Sequence, residues 1–239
     1  MQTTFIPLRV FFEKRGRIKY ISHLDTMRSF TRALDRSRLP LWFTEGFNPH
    51  LYITFALPLP LGYEALCESF DVRLTWDSGF IFQPSSDDIN VSSLNPADVV
   101  SRINECLPLG FHALRVAAPI HKPSVIKWAD YKVHLHYDSA TSASAASAMQ
   151  NFVQRPSIEV LKRTKKGETF IDIKPHMRLV SLVQKDESIE LTLRLAAGIN
   201  LNIAATLYLW AFHEYFGKKP TLTQITRLRL LDSDLNEFE

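Results

Sequence analysis

Strand and helix signals follow one another along these 239 residues in one order, and the order runs twice. Few folds accept such a chain. Phe5 to Phe12 alternates as a half-buried strand does, and Lys14-Arg15-Gly16-Arg17 is a tight reversal or kink. Ser22 then opens a helix, with Asp25 three residues on approximating a capping box. Leu24, Met27, Phe30 or Thr31, and Leu34 recur at helical spacing and are expected to face the core. Leu39 to Thr44 and Leu51 to Ala56 read as a strand pair around the turn Glu45-Gly46-Phe47-Asn48-Pro49-His50. The apolar Leu57-Pro58-Leu59-Pro60-Leu61-Gly62 reads as a buried corner, although its proline spacing resembles a polyproline ligand. Ser69 to Trp76 is a strand and the polar run 83–93 a loop; Asn95 caps a helix with Pro96 at its first position, running to about Leu107. Phe111 to Ala117 closes the half. The plan is βαββαβ, that of a ferredoxin-like fold.

The second half repeats it. Tyr131 to Tyr137 is a strand, Ser139 to Phe152 an Ala-rich helix, and Ile158 to Arg163 a strand ending in the basic turn Lys165-Lys166-Gly167. Thr169 to Ile173 returns, and Met177–Gln184 with Ser188–Leu195 makes a hairpin. A long apolar helix, Leu201 to Phe216, stops at Gly217, and Ile225 to Leu231 is the last strand. The expected fold is therefore α+β, with two tandem ferredoxin-like lobes over residues 1–118 and 119–239 and a connector at 119–129. The halves match in element order, without a clear sequence repeat.

Charge is unevenly placed. The formal net charge is only +3, so attraction to nucleic acid has to come from clustering. From Met1 to Arg38 nine basic residues stand against Glu13, Asp25 and Asp35, whereas from Pro60 to Pro108 Arg73 and Arg102 face eight acids. Such a chain is dipolar. Arg28, Arg32 and Arg36 repeat once per helical turn, which makes either a solvated helix face or a ridge matched to neighbouring phosphates. Arg15, Arg17 and Lys19 extend that patch. A second patch holds Lys162, Arg163, Lys165, Lys166, Lys174 and Arg178, able to clamp a sugar–phosphate backbone or to keep a sheet edge soluble. Tyr20, Trp42, Phe43, Phe47 and Tyr52 lie close in sequence to the first patch and can stack on bases.

Catalytic signals are sparse. His23 takes the first helical position, where the dipole disfavours its protonated form, as a general base requires; a lone histidine in a first turn is also a common structural residue. His50 is the second candidate. His134 and His136 share a strand face without an evident third ligand, so no metal site is expected. Cys67 and Cys106 cannot hold an iron–sulfur cluster, and no other cofactor is expected. No signal peptide or apolar run of roughly 18 residues is visible, so the expected location is the cytoplasm.

Three motifs carry a family resemblance: YISHLD, with Ser22, His23 and Asp25; TEGFNPH, with Glu45 to His50; and the aliphatic ITFALPLPLG. Together they resemble the bacterial radical SAM-linked family, a domain of unknown function placed beside or fused to radical SAM proteins. The resemblance is close over residues 8–76 and looser beyond, where LKRTKKG, IDIKP and the LRLAAG turn also fit. It implies a bacterial protein with a radical SAM enzyme as partner. Two departures stand out: Leu51-Tyr52 follows Pro49-His50 where the family tends to a proline and a basic residue, and Ile199-Asn200 follows Gly198 where it tends to further glycine. The element order is also similar to that of CRISPR repeat-processing endoribonucleases, at fold level only.

The expected function is a non-catalytic module that binds RNA, either tRNA or rRNA, and presents it to a radical SAM enzyme for modification. One alternative is a metal-independent endoribonuclease, with His23 or His50 as base and Arg28 or Lys19 steadying the phosphate. The other is a protein-only adaptor that docks the enzyme through the LPLPLG corner and the acidic 60–108 region.

Overall fold

In the computed structural model, which describes residues 5–75, 80, 94–164 and 167–239, the chain divides into two compact units, Met1–Pro123 with Glu239, and Ser124–Phe238. The division falls inside the stretch read as a connector. Among the described residues both units are mixed α and β, with antiparallel strand pairing and two α-helices each. Among the described residues no helix is long and apolar enough to cross a membrane.

The first unit runs β1 (Phe5–Lys14), a short 3-10 helix (Gly16–Tyr20), α1 (His23–Arg36), β2 (Ile53–Phe55), β3 (Glu64–Thr75), α2 (Pro96–Cys106) and β4 (Phe111–Ala117). Its strands lie in the order β4-β1-β3-β2, every pair antiparallel. β1 is flanked on both sides, and its side chains from Leu8 to Phe12 are all buried, which fits a central strand better than the alternating pattern expected of it. Phe12, Phe30, Phe70 and Phe111 meet at its centre, with ring centroids 4.6 Å apart for Phe12–Phe30 and 4.8 Å for both Phe30–Phe70 and Phe30–Phe111. Such pairs add roughly 0.5–1.5 kcal/mol each beyond their burial.

Phe30 thereby sets the rotation of α1. Its buried face is Thr26, Phe30, Ala33 and Leu34, while Leu24, expected in the core, is 53% exposed. The helix begins as the sequence implies, with the Ser22 hydroxyl accepting the Asp25 N–H at 3.1 Å. It ends where the Ser37 hydroxyl donates to the Leu34 carbonyl at 2.6 Å, ahead of a left-handed Arg38.

Leu39 to Thr44 does not form a strand. Pro40 has no N–H to give a ladder, and the segment makes two isolated bridges, Leu41 to Leu74 and Phe43 to Leu51. The expected hairpin is thus reduced to the short β2, and β3 starts at Glu64 rather than Ser69.

Gly110, with φ near 100°, fixes the turn between α2 and β4. Its carbonyl accepts the Arg15 N–H at 2.8 Å, and a Cβ there would sit 2.7 Å from the Arg15 carbonyl oxygen and 2.8 Å from Ile18. Gly110→Ala is expected to lower stability by about 1–3 kcal/mol in thermal unfolding, from strained backbone and the displaced basic turn.

The second unit runs β5 (Trp128–His136), α3 (Ser139–Val153), β6 (Glu159–Thr164), β7 (Gly167–Asp172), β8 (Met177–Lys185), β9 (Ser188–Ala196), α4 (Ala205–Phe216) and β10 (Leu222–Leu231). The order is β10-β5-β9-β8, antiparallel, and β6-β7 forms a separate hairpin. α4 starts four residues later than expected, because the Ile203 N–H bonds the Ala196 carbonyl at 2.8 Å and keeps the preceding loop extended. Gly217 stops it in the left-handed conformation.

Candidate nucleic-acid interface

Two of the three sequence motifs, YISHLD and ITFALPLPLG, meet in the first unit, which also carries the TEGFNPH loop. The Lys19 carbonyl accepts the Gly62 N–H at 2.8 Å, joining the 3-10 helix to the LPLPLG corner. The Lys14 ammonium reaches the Ile21 carbonyl at 3.2 Å, and the His23 ring packs edge-on against Phe55 with centroids 5.2 Å apart. His23 is half-buried in that contact. The loop from Glu45 to His50, including Gly46, Asn48 and Pro49, is exposed throughout. His50 closes it: Nδ1 lies 3.0 Å from the Thr44 hydroxyl and 3.3 Å from the Asn48 carbonyl, while its backbone N–H donates to the same hydroxyl at 3.1 Å. That ring clamps a turn that projects Phe47 fully into solvent.

The basic residues sort into those already used and those left over. Arg9 and Lys14, which contribute to the amino-terminal excess of positive charge, are buried. Arg9 makes a bidentate pair with Asp71, Nε–Oδ1 at 2.6 Å and Nη2–Oδ2 at 2.8 Å. Burial holds the Lys14 ammonium below its ordinary pKa, opposed by the nearby Glu68 carboxylate. Neither cation is open to solvent. Lys19 is nearly covered and pairs with Glu64 at 3.4 Å, and Arg36 donates to the Cys106 carbonyl at 2.7 Å. Arg15 pairs with Glu13 at 2.7 Å and Arg28 with Asp25 at 3.2 Å, but both guanidiniums stay more than half exposed. Asp25 is held below the usual carboxylate range first by the Ser22 hydroxyl and then by Arg28. Arg17 and Arg32 are exposed and show no ion pair among the described residues.

Aromatic residues divide in the same way. Tyr20 is 68% and Phe43 46% exposed, free to meet a ligand as Phe47 is. Trp42 and Tyr52 are instead half-buried around Arg73, whose guanidinium carbon lies 3.8 Å from the Tyr52 and Phe5 ring centroids and 4.9 Å from that of Trp42. That stack is cation–π packing.

In the second unit Lys174 donates to the Val153 carbonyl and Arg178 to that of its neighbour Met177, Arg178 remaining exposed. Lys165, Lys166 and the side chains of Lys162 and Arg163 lie outside the described residues. The His134 and His136 rings pack with centroids 4.4 Å apart, tilted by 39°, and the His134 Nε2 lies 3.1 Å from the Ser188 hydroxyl. Burial, then repulsion from His136, holds His134 below its ordinary pKa. Among the described residues no group of three or more His, Cys, Asp or Glu side chains is placed to hold a metal ion.

A third arrangement left no sign in the sequence. Asp130 on β5 is fully buried between two guanidiniums: Arg194 Nε at 2.7 Å and Nη2 at 3.0 Å, and Arg229 Nε at 2.9 Å. Its partners come from β9 and β10 on either side, so only the strand register could have disclosed it.

Comparison with known proteins gives a family but no chemistry. The family model described as an uncharacterized protein conserved in bacteria, DUF2344, matches residues 7–204. No curated protein matches. Among solved structures, a "putative monooxygenase" from Lactobacillus acidophilus NCFM is similar at 10% identity and a TM-score of 0.23, over 95% of this chain and 93% of that one.

Proposed function

We propose that this chain, which belongs to the DUF2344 family, binds RNA on its first unit and presents it to a radical SAM enzyme, with no chemistry of its own. The observation that carries the reading is the set of exposed cations left over by internal pairing, Arg17 and Arg32 with Arg15 and Arg28 on weak surface pairs, on the unit that also exposes Tyr20, Phe43 and Phe47. Guanidiniums on phosphates and rings on unstacked bases are how single-stranded RNA is commonly held. The enzyme partner is inferred from the resemblance of the YISHLD, TEGFNPH and ITFALPLPLG motifs to radical SAM-linked proteins. We also read each unit as a ferredoxin-like lobe, a reading supported by the orders β4-β1-β3-β2 and β10-β5-β9-β8. In the second lobe the β6-β7 hairpin is then an insertion.

The test is binding of the purified protein to total bacterial RNA across a salt series, in EDTA, with the products run on a gel. Expected is intact RNA bound with an affinity that falls steeply as salt rises. Absence of binding at low salt overturns the reading and leaves a protein-only adaptor. Cleaved RNA replaces it with a nuclease.

A further inference from the structure

We propose a second site, in the second unit: a cavity of about 410 Å³ that takes one nucleotide, base and phosphate together. Its size falls in the usual range for small-molecule pockets, roughly 300–1,000 Å³. It is lined by Lys127 and Trp128 where β5 begins, by His176 just before β8, by Ser124, and by the loop from Gly198 through Asn200 after β9. The frame is rigid: the Lys127 N–H bonds the Leu231 carbonyl at 2.9 Å, and the Lys127 carbonyl accepts the Ala197 N–H at 2.8 Å. Gly198, with φ near 145°, brings the loop so close that a Cβ would lie 2.5 Å from the Ile126 carbonyl oxygen.

The lining selects the ligand class. Lys127 is an exposed cation and, among the described residues, no carboxylate lines the cavity, so the site favours an anion. Trp128, half-buried, with Ile126 and Leu201, favours a planar apolar body beside that charge. Ser124 and Asn200 supply the few donors and acceptors that a base edge needs. A nucleotide, either free or as one unit of a strand, joins a planar, polar-edged body to an anion in this way. The site uses none of the residues invoked for RNA on the first unit, so the two proposals fail separately.

The test is calorimetric titration of the full chain with the four ribonucleoside 5′-monophosphates, alongside inorganic phosphate and the unphosphorylated nucleosides. At least one monophosphate is expected to bind saturably, and phosphate and nucleosides about tenfold more weakly, since each supplies only part of the contact. Asn200→Ala, in an exposed loop, and Lys127→Gln each weaken binding; Trp128→Phe preserves most of it, whereas Trp128→Ala loses about fivefold or more. Circular dichroism on each variant separates lost binding from lost fold. Displacement of the bound monophosphate by a short RNA would assign the site to a strand, and failure to displace it to free nucleotide. The proposal is overturned if no monophosphate binds, if phosphate alone binds as tightly, or if Asn200→Ala and Lys127→Gln leave the affinity unchanged.

Discussion

Asp130→Asn is expected to cost the second unit about 3 kcal/mol at neutral pH, near the lower end of what breaking a buried ion pair costs. The amide keeps the shape of the carboxylate but leaves two guanidiniums facing each other across a fully buried position. The loss stays near the lower end because the Arg229 side chain is 45% exposed and can turn toward water. Burial alone would raise the Asp130 pKa; hydrogen bonds from Arg194 and Arg229 outweigh it, so the carboxyl sits below its ordinary value. A depressed carboxyl stabilises the folded state above the unfolded-state pKa of about 4, and that contribution is lost as pH falls through the lower folded-state value. Urea unfolding of both proteins from neutral to acid pH should therefore show a gap in stability that narrows below about pH 4. A variant as stable as the parent at neutral pH would mean that the triad contributes no net stability.

The second large effect is expected on binding. In the Arg28→Glu, Arg32→Glu double variant, two phosphate contacts become repulsive. RNA affinity at low salt should fall by about tenfold or more, and the slope of log affinity against log salt should flatten by about 1.4, at ~0.7 per contact to a single strand. Lys19→Gln is the control: that ammonium is nearly covered and already paired with Glu64, so its loss should leave the slope unchanged. Equal slopes for the parent and the double variant would place the RNA, if bound, elsewhere on the chain.

These predictions rest on a sorting of charges that composition could not make. In the sequence, Arg9, Lys14, Arg28 and Arg32 are four members of one basic run. Arg9 meets an aspartate 62 residues away, and Lys14 is buried near Glu68, so neither cation is available to a ligand. Arg28 and Arg32 remain on the surface. The aromatic residues near them divide likewise, because Arg73 takes up Trp42 and Tyr52 while Phe47 stays in water.

What the sequence determined by itself is whatever depends on near neighbours. The Ser22 cap, the Asn95 cap with Pro96 behind it and the glycine stop at Gly217 each need partners within a few residues, and each forms as written. So does the order of strands and helices, apart from the segment that Pro40 interrupts. Periodicity put Phe30 and Leu34 in the core, but tertiary structure alone set the rotation of α1 that leaves Leu24 outside, since Phe30 had to find Phe12, Phe70 and Phe111 on three strands. It also decided which charges are spent in the interior and where Gly198 presses its loop against Ile126 to wall the cavity. The physical reason is range: caps and turns are satisfied by the local backbone, whereas burial, ion pairing and cavities arise only when strands distant in sequence come into register.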